Sequence, residues 1–190
     1  MRYFAILLVV ILGSCAGNGG RAPSNQNDAC SILDQRRGWL RDLQASEREW
    51  GVPVHVQMAT IWKESSYRAR ARTSRTYFLG SIPRGRRSSA YGYSQALDGT
   101  WDWYRKETGR RRADRDDFDD ATHFIGWYMD HSNKVNGIAK DDAYNQYLAY
   151  HEGHSGYRNG SYNSKQWLIN TAREVQAMAD RYESQLPYCR

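Results

Sequence analysis

Glu64 closes the apolar run Ala59-Thr-Ile-Trp-Lys-Glu64 and is followed by Ser65-Ser66. A carboxyl group at the end of an apolar helix can act as an acid if its surroundings raise its pKa toward neutrality. Cleavage of a glycosidic bond needs such a group, because the leaving oxygen is poor and must be protonated as the bond breaks. A solvated surface Glu is the ordinary alternative for a helix end, and Glu64 taken alone does not decide between them. Glu152, within Ala149-Tyr150-His151-Glu152-Gly153, raises a second question. Two carboxylates beside a scissile bond would indicate hydrolysis by water, but Glu152 can equally form a salt bridge or contact a substrate. His55, His123, His131, His151 and His154 show no zinc-peptidase spacing. Asp116, Asp117, Asp119 and Asp120 crowd an expected helix start, which suits the helix dipole better than a calcium loop. We expect no metal and no cofactor.

The elements that must position these groups are mostly helical. Leu33, Leu40, Leu43 and Trp50 recur at helical spacing, and Gly51 stops that helix. Pro53 suits the first turn of the next helix, whose face carries Val54, Met58 and Ile61 and which ends near Glu64. Residues 68–92 lack periodicity and are rich in Arg, Ser and Gly, so a long loop is expected there. Asp98 can cap a short helix to about Lys106, and residues 109–117 form a charged turn. Phe118, Ala121, Ile125 and Tyr128 mark a further helix. Another runs from Asp141 or Asp142 to about His151, with Tyr144, Tyr147 and Leu148 on its inner face and Gly153 and Gly156 flanking a turn. Leu168, Ala172, Val175, Ala179, Tyr182 and Leu186 alternate steps of four and three, which describes a long amphipathic C-terminal helix.

The chain has 190 residues, enough for one self-sufficient core after a short leader. Seven Trp and fourteen Tyr fit either an aromatic core or a groove whose flat rings stack on sugars. The formal charge of +6 favours polyanionic partners. Much of it comes from the long loop, with Arg68, Arg70, Arg72, Arg75, Arg84, Arg86 and Arg87. These are a solvated face or an electropositive rim for peptide carboxylates or lipid headgroups. No nucleic-acid recognition motif accompanies the charge, and nucleic acid is not expected as a partner.

Met1-Arg2 and the nine-residue apolar run from Phe4 to Leu12 read as the start of an export signal, too short to span a bilayer. Leu12-Gly13-Ser14-Cys15 resembles the lipobox of bacterial lipoproteins. The resemblance implies cleavage before Cys15, acylation of its thiol and anchoring by several acyl chains. Ala16 after that Cys implies sorting to the periplasmic face of the outer membrane. Residues 16–27 are Gly, Ser, Asn, Gln and Pro with little apolar content, and read as a flexible tether. With Cys15 acylated, Cys30 and Cys189 remain as an even pair in an oxidising compartment, and a disulfide between them is expected.

Ala59 to Tyr67 resembles the first motif of the soluble lytic transglycosylase (SLT) family, in which a helix ends in a catalytic Glu followed by Ser. Ala90-Tyr91-Gly92-Tyr93-Ser94-Gln95 is similar to the family's Gly-Leu-Met-Gln segment. Ala149-Tyr150-His151-Glu152-Gly153 is similar to its Ala-Tyr-Asn-Ala-Gly segment. The three follow in family order, and the chain most resembles a small lipoprotein branch of this lysozyme-like superfamily. The departures are Tyr93 and Ser94 for Leu and Met, and His151 and Glu152 for Asn and Ala.

The resemblance implies a mainly α fold: a lysozyme-like helical domain with a long Arg-rich loop. Its expected division is a signal peptide over 1–14, lipidated Cys15 and tether over 15–29, and the SLT domain over 30–190. It implies a monomeric enzyme acting on peptidoglycan strands, with Glu64 as single general acid/base. Ser65, Tyr91, Gln95, Tyr150, His151, Glu152 and Tyr162 would bind substrate or support Glu64. Tyr162 and Tyr182 are the two candidates for the family's late Tyr, which hydrogen-bonds the catalytic Glu; Tyr182 fits the core stripe better. A hydrolysing muramidase and a non-catalytic peptidoglycan-binding lipoprotein remain the alternatives.

Overall fold

Gly38, at φ 104°, divides the first expected helix into α1 (Ala29–Gln35) and α2 (Trp39–Trp50). The computed structural model describes residues 21–78 and 82–189, so the leader and Cys15 lie outside the described residues. Asp28 caps α1 by accepting the Ser31 N–H. Pro53 precedes α3 (Val54–Ser65) in extended conformation, as its fixed φ allows. A hairpin of β1 (Arg75–Phe78) and β2 (Ile82–Arg86), antiparallel with a register irregularity after Thr76, occupies the stretch expected to be loop. Then come α4 (Asp98–Thr108), α5 (Phe118–Asn136), α6 (Ala143–Arg158) and α7 (Gln166–Gln185). The fold is mainly α, as expected of a lysozyme-like domain. No helix among the described residues is long and apolar enough to cross a membrane.

α5 runs through the centre, with every residue from Ala121 to Asp130 buried. A helix buried all round must be covered on all sides, and α2, α4 and α6 pack against it. α3 and α6 in turn pack on α7, whose Leu168, Ala172, Val175, Ala179 and Tyr182 are fully buried. Many of the aromatic residues are core. Trp39 stacks on Phe118 with centroids 3.8 Å apart, and Tyr93 meets both rings edge-on. Trp101, Tyr104, Phe124 and Trp127 form a second cluster between α4 and α5.

The ends of the domain are tied together. Cys30 and Cys189 form a disulfide across a sequence separation of 159 residues. Closing so long a loop is worth about 4–5 kcal/mol in the chain-entropy model. Beside it, the Ala29 N–H donates to Gln185 Oε1 at 2.8 Å and Gln185 Nε2 donates to the Asn27 carbonyl at 3.2 Å. The Tyr182 hydroxyl donates to the Gln26 carbonyl at 2.5 Å. Gln26 and Asn27, expected as flexible tether, are thus held against α7, because their polar backbone completes the hydrogen bonding of that helix's side chains.

Candidate active site

Glu64 occupies the last turn of α3. The helix stops one residue later, because Ser66 and Tyr67 both adopt left-handed conformations, at φ 50° and 58°. Two successive non-glycine residues there store strain that the surroundings must hold. The Ser66 N–H donates back to the Trp62 carbonyl at 2.9 Å, and the buried Tyr67 hydroxyl donates to the Met58 carbonyl at 3.0 Å. The chain therefore leaves α3 sharply just after Glu64. The residue is only partly exposed. Burial pushes its carboxyl up to about 7, against the opposing effects of a hydrogen bond from Tyr147 and the nearby Lys63 charge. A position at the negative end of a helix also disfavours the ionised form. Lys63 is drawn aside by Glu174 on α7, with Nζ and Oε2 2.6 Å apart.

Tyr147 and Tyr150 bring α6 to this carboxyl. The Tyr147 hydroxyl lies near enough to lower the Glu64 carboxyl pKa, and its own is pushed up by burial and then by the Glu64 charge. Tyr150, one turn later, has its hydroxyl pKa pushed well up by burial and by the Glu64 charge, and donates to the Ser94 carbonyl at 2.7 Å. Of the tyrosines, it is Tyr147, and not the expected Tyr162 or Tyr182, that acts on the Glu64 carboxyl. Tyr182 is fully buried against Tyr67 and Gln26, consistent with its place in the core stripe. Tyr162 stacks on Tyr157 at 5.4 Å and is not among the residues lining the cleft described below. Tyr147 sits on the inner stripe of its helix, where spacing alone reads it as core. The signal available was that it lies one turn before Tyr150.

Ser65 is fully buried, and its hydroxyl donates to the Ile61 carbonyl at 3.1 Å. It satisfies the end of α3 instead of reaching toward substrate. The segment 90–96 forms a tight turn. Gly92, at φ 81°, lies against the Arg115 carbonyl so closely that any side chain would collide. Its N–H donates to the Ala71 carbonyl at 3.0 Å, and the Tyr93 N–H donates to the Arg115 carbonyl at 3.1 Å. Gln95, itself at φ 52°, bolts the turn with Nε2 bonds to Ala71 at 3.0 Å and Gly92 at 2.8 Å.

A cleft of about 230 Å³ joins this turn to α6. Gln95, Ala96, Leu97 and Thr100 line one side; Tyr150, His151, Glu152 and Gly153 line the other; Phe124 and Tyr128 of α5 form part of the lining. Glu64 is not in the lining itself, but its charge acts on Tyr150, which is. Gly153, at φ 76° and ψ 159°, kinks α6 here, in a region open essentially to glycine. The expected end of the helix near His151 is therefore a kink, and the helix resumes as far as Arg158.

The kink is fastened by Glu152. Its carboxylate accepts from Lys165 Nζ at 2.7 and 2.8 Å and from the Ser161 hydroxyl, and Oε1 meets His151 Nδ1 at 3.1 Å. Desolvation opposes ionisation, but these partners outweigh it and hold the carboxyl down at about 2. His151 is exposed and meets Trp167 edge-on at 5.1 Å. Tyr91, expected in the substrate groove, is turned away from the cleft. Its hydroxyl donates to Asp116 at 3.0 Å, and its ring lies beneath the Arg72 guanidinium at 4.1 Å. The acidic cluster is likewise engaged: Asp117 caps α5, and Asp119 and Asp120 accept from Arg110 at 3.2 and 2.9 Å. Carboxylate oxygens of Asp117, Asp119 and Asp120 lie within 4.8 Å of one another, the closest approach to a metal-binding group among the described residues.

No curated protein matches the sequence. The family model described as Transglycosylase SLT domain matches residues 3–189. That span contains Glu64, the 90–96 turn and the Gly153 kink, and the chain belongs to the Transglycosylase SLT domain family.

Proposed function

We propose that this protein is a peptidoglycan lytic transglycosylase in which Glu64 alone acts first as acid and then as base. The observation that carries the reading is the carboxyl of Glu64, desolvated to a pKa of about 7 at the end of α3, near Tyr147 and acting on Tyr150, which lines the cleft. At neutral pH a large fraction of Glu64 is protonated and can give its proton to the oxygen between N-acetylmuramic acid and N-acetylglucosamine as the C1–O bond breaks. The resulting carboxylate then takes the proton of the C6 hydroxyl of the same muramic acid. O6 closes on C1, giving a 1,6-anhydro end, and Glu64 is protonated again. No water is consumed. Tyr147, by donating to the carboxylate, stabilises the form that must exist between the two proton transfers. Gln95, Tyr150 and His151 would line the path of the glycan. Glu152, committed to Lys165, is a poor candidate for the second carboxylate that hydrolysis requires.

In this reading Cys15 is acylated, and the domain works from the periplasmic face of the outer membrane on a tether that ends before Gln26, which is already held against α7.

The test is mass spectrometry of the products released from purified sacculi by the protein and by Glu64→Gln. Anhydro-muropeptides from the wild type alone support the proposal. Reducing-end products would make the enzyme a muramidase, and no products from either protein would leave a binding lipoprotein.

A further inference from the structure

The segment that lines the cleft also lines a second and larger cavity. Leu97 and Thr100 face the cleft, while Asp98, Trp101 and Arg105 face a cavity of about 530 Å³ on the other side of the start of α4. Five arginines line that cavity: Arg72, Arg105, Arg111, Arg112 and Arg115. Two are occupied. Arg115 pairs with Asp98 at 2.8 Å and donates to the Ala96 carbonyl at 2.8 Å; Arg105 pairs with Asp102 at 3.5 Å. Arg72, Arg111 and Arg112 form no ion pair among the described residues. Asp114, the remaining carboxylate of the lining, accepts from the Asp116 N–H at 3.5 Å instead. Three arginines without a carboxylate partner thus line one concavity, and the planar donor fork of each matches carboxylate oxygens in pairs.

We infer that this cavity receives the free carboxylates of the peptide attached to the muramic acid in the cleft, so that the enzyme prefers peptide-bearing strands. The inference rests on the proposed activity, because that activity places a peptide-bearing sugar next to α4. Four extended residues reach about 13–14 Å, more than the roughly 10 Å width of a helix with its side chains, so a peptide passing over the start of α4 extends toward the cavity. Tyr91 joins the two sites. Its backbone bridges to both Arg72 and Ala96, and its ring supports the Arg72 guanidinium. This accounts for its departure from the glycan groove.

The experiment measures binding and turnover with Arg111→Gln/Arg112→Gln and with Arg72→Gln. Both sites lie on exposed side chains, so the fold is expected to persist, as a thermal melt will show. The binding probes are N-acetylmuramyl tetrapeptide with free carboxylates and its fully amidated analogue. Expected is a preference of about 10-fold for the free carboxylates in the wild type, weakened by salt and absent in the variants. In turnover, KM for peptide-bearing strands should rise about 2- to 5-fold in the variants, while strands stripped of peptide by an amidase are cleaved as before. Equal affinity of the wild type for both probes, or equal losses on both strand types, overturns the inference. Preferential capture of inorganic phosphate, unresponsive to the muropeptide, does so too. If neither strand type is cleaved, the proposed activity fails while the binding arm still decides the cavity.

Discussion

Two glutamates, one at the end of α3 and one at the kink of α6, are pushed in opposite directions by the same fold. Glu64 is desolvated, with only the nearby Tyr147 hydroxyl and the Lys63 charge opposing, and its carboxyl rises to about 7. Glu152 is also shielded, its side chain 4% exposed, but an ammonium and a hydroxyl meet it and its carboxyl falls to about 2. Burial is common to both. The difference is whether a cation completes the shell. A carboxyl left partly unsatisfied is ready to exchange a proton, while one fully satisfied is a fastening. The largest test of this contrast is Glu64→Gln, which keeps the shape and removes the proton. Turnover on sacculi should fall by about 10²–10⁴-fold.

The same substitution should stabilise the fold at alkaline pH. A carboxyl whose folded pKa is raised binds its proton more tightly in the native state. Its contribution is therefore complete below about 4.5 and is lost as pH rises through about 7. A gap of 2.5 pKa units corresponds to about 3 kcal/mol at pH 9. Glu64→Gln should escape that loss, melting roughly 6–12 °C above the wild type at pH 9 and level with it at pH 4. Identical melting at both values would mean that Glu64 is solvated and that the contrast with Glu152 is lost.

Tyr147 sharpens the contrast from the other side. It is the donor that moderates Glu64, so Tyr147→Phe should raise the Glu64 pKa further and move the alkaline limb of the rate profile above its wild-type position near 7. kcat should fall about 10-fold, because the carboxylate formed between the two proton transfers loses its hydrogen bond. A fall in kcat with an unmoved limb would assign Tyr147 to packing alone.

Much of this arrangement was legible in the residues. Periodicity placed α3, α5 and α7, because a buried face must repeat every 3.6 residues. It failed where burial does not write a pattern. In the β1–β2 hairpin, Arg75 and the stretch from Pro83 to Arg86 are exposed, so no alternation marks the strands. The stripe that carries α6 into the core contains Tyr147, and helical spacing does not separate a ring packed for burial from one whose hydroxyl meets Glu64. Glu152 posed the same difficulty: its role depends on Lys165 and Ser161, which reach it only because Gly153 kinks the helix. Tyr91 was read with its neighbours on one groove, yet the turn at Gly92 sends its side chain to the opposite side of α4.

The smallest expected effect on chemistry belongs to Glu152→Gln. The amide still accepts from Ser161 but no longer neutralises Lys165, which is partly exposed and can turn to solvent. Loss of charge-assisted hydrogen bonds should cost about 1–3 kcal/mol near neutral pH. Because the folded pKa is depressed, the wild-type advantage is complete above about 4.5 and disappears as pH falls through about 2. Chemical denaturation at pH 7 and pH 2 measures the difference. Turnover should change only a few-fold, through the position of His151, and the anhydro product should persist. The outcome that breaks the contrast is a folded Glu152→Gln protein whose turnover falls as far as that of Glu64→Gln. Glu152 would then exchange protons or activate water despite its partners, both carboxyls would be chemical, and a hydrolysing mechanism would replace the single acid/base.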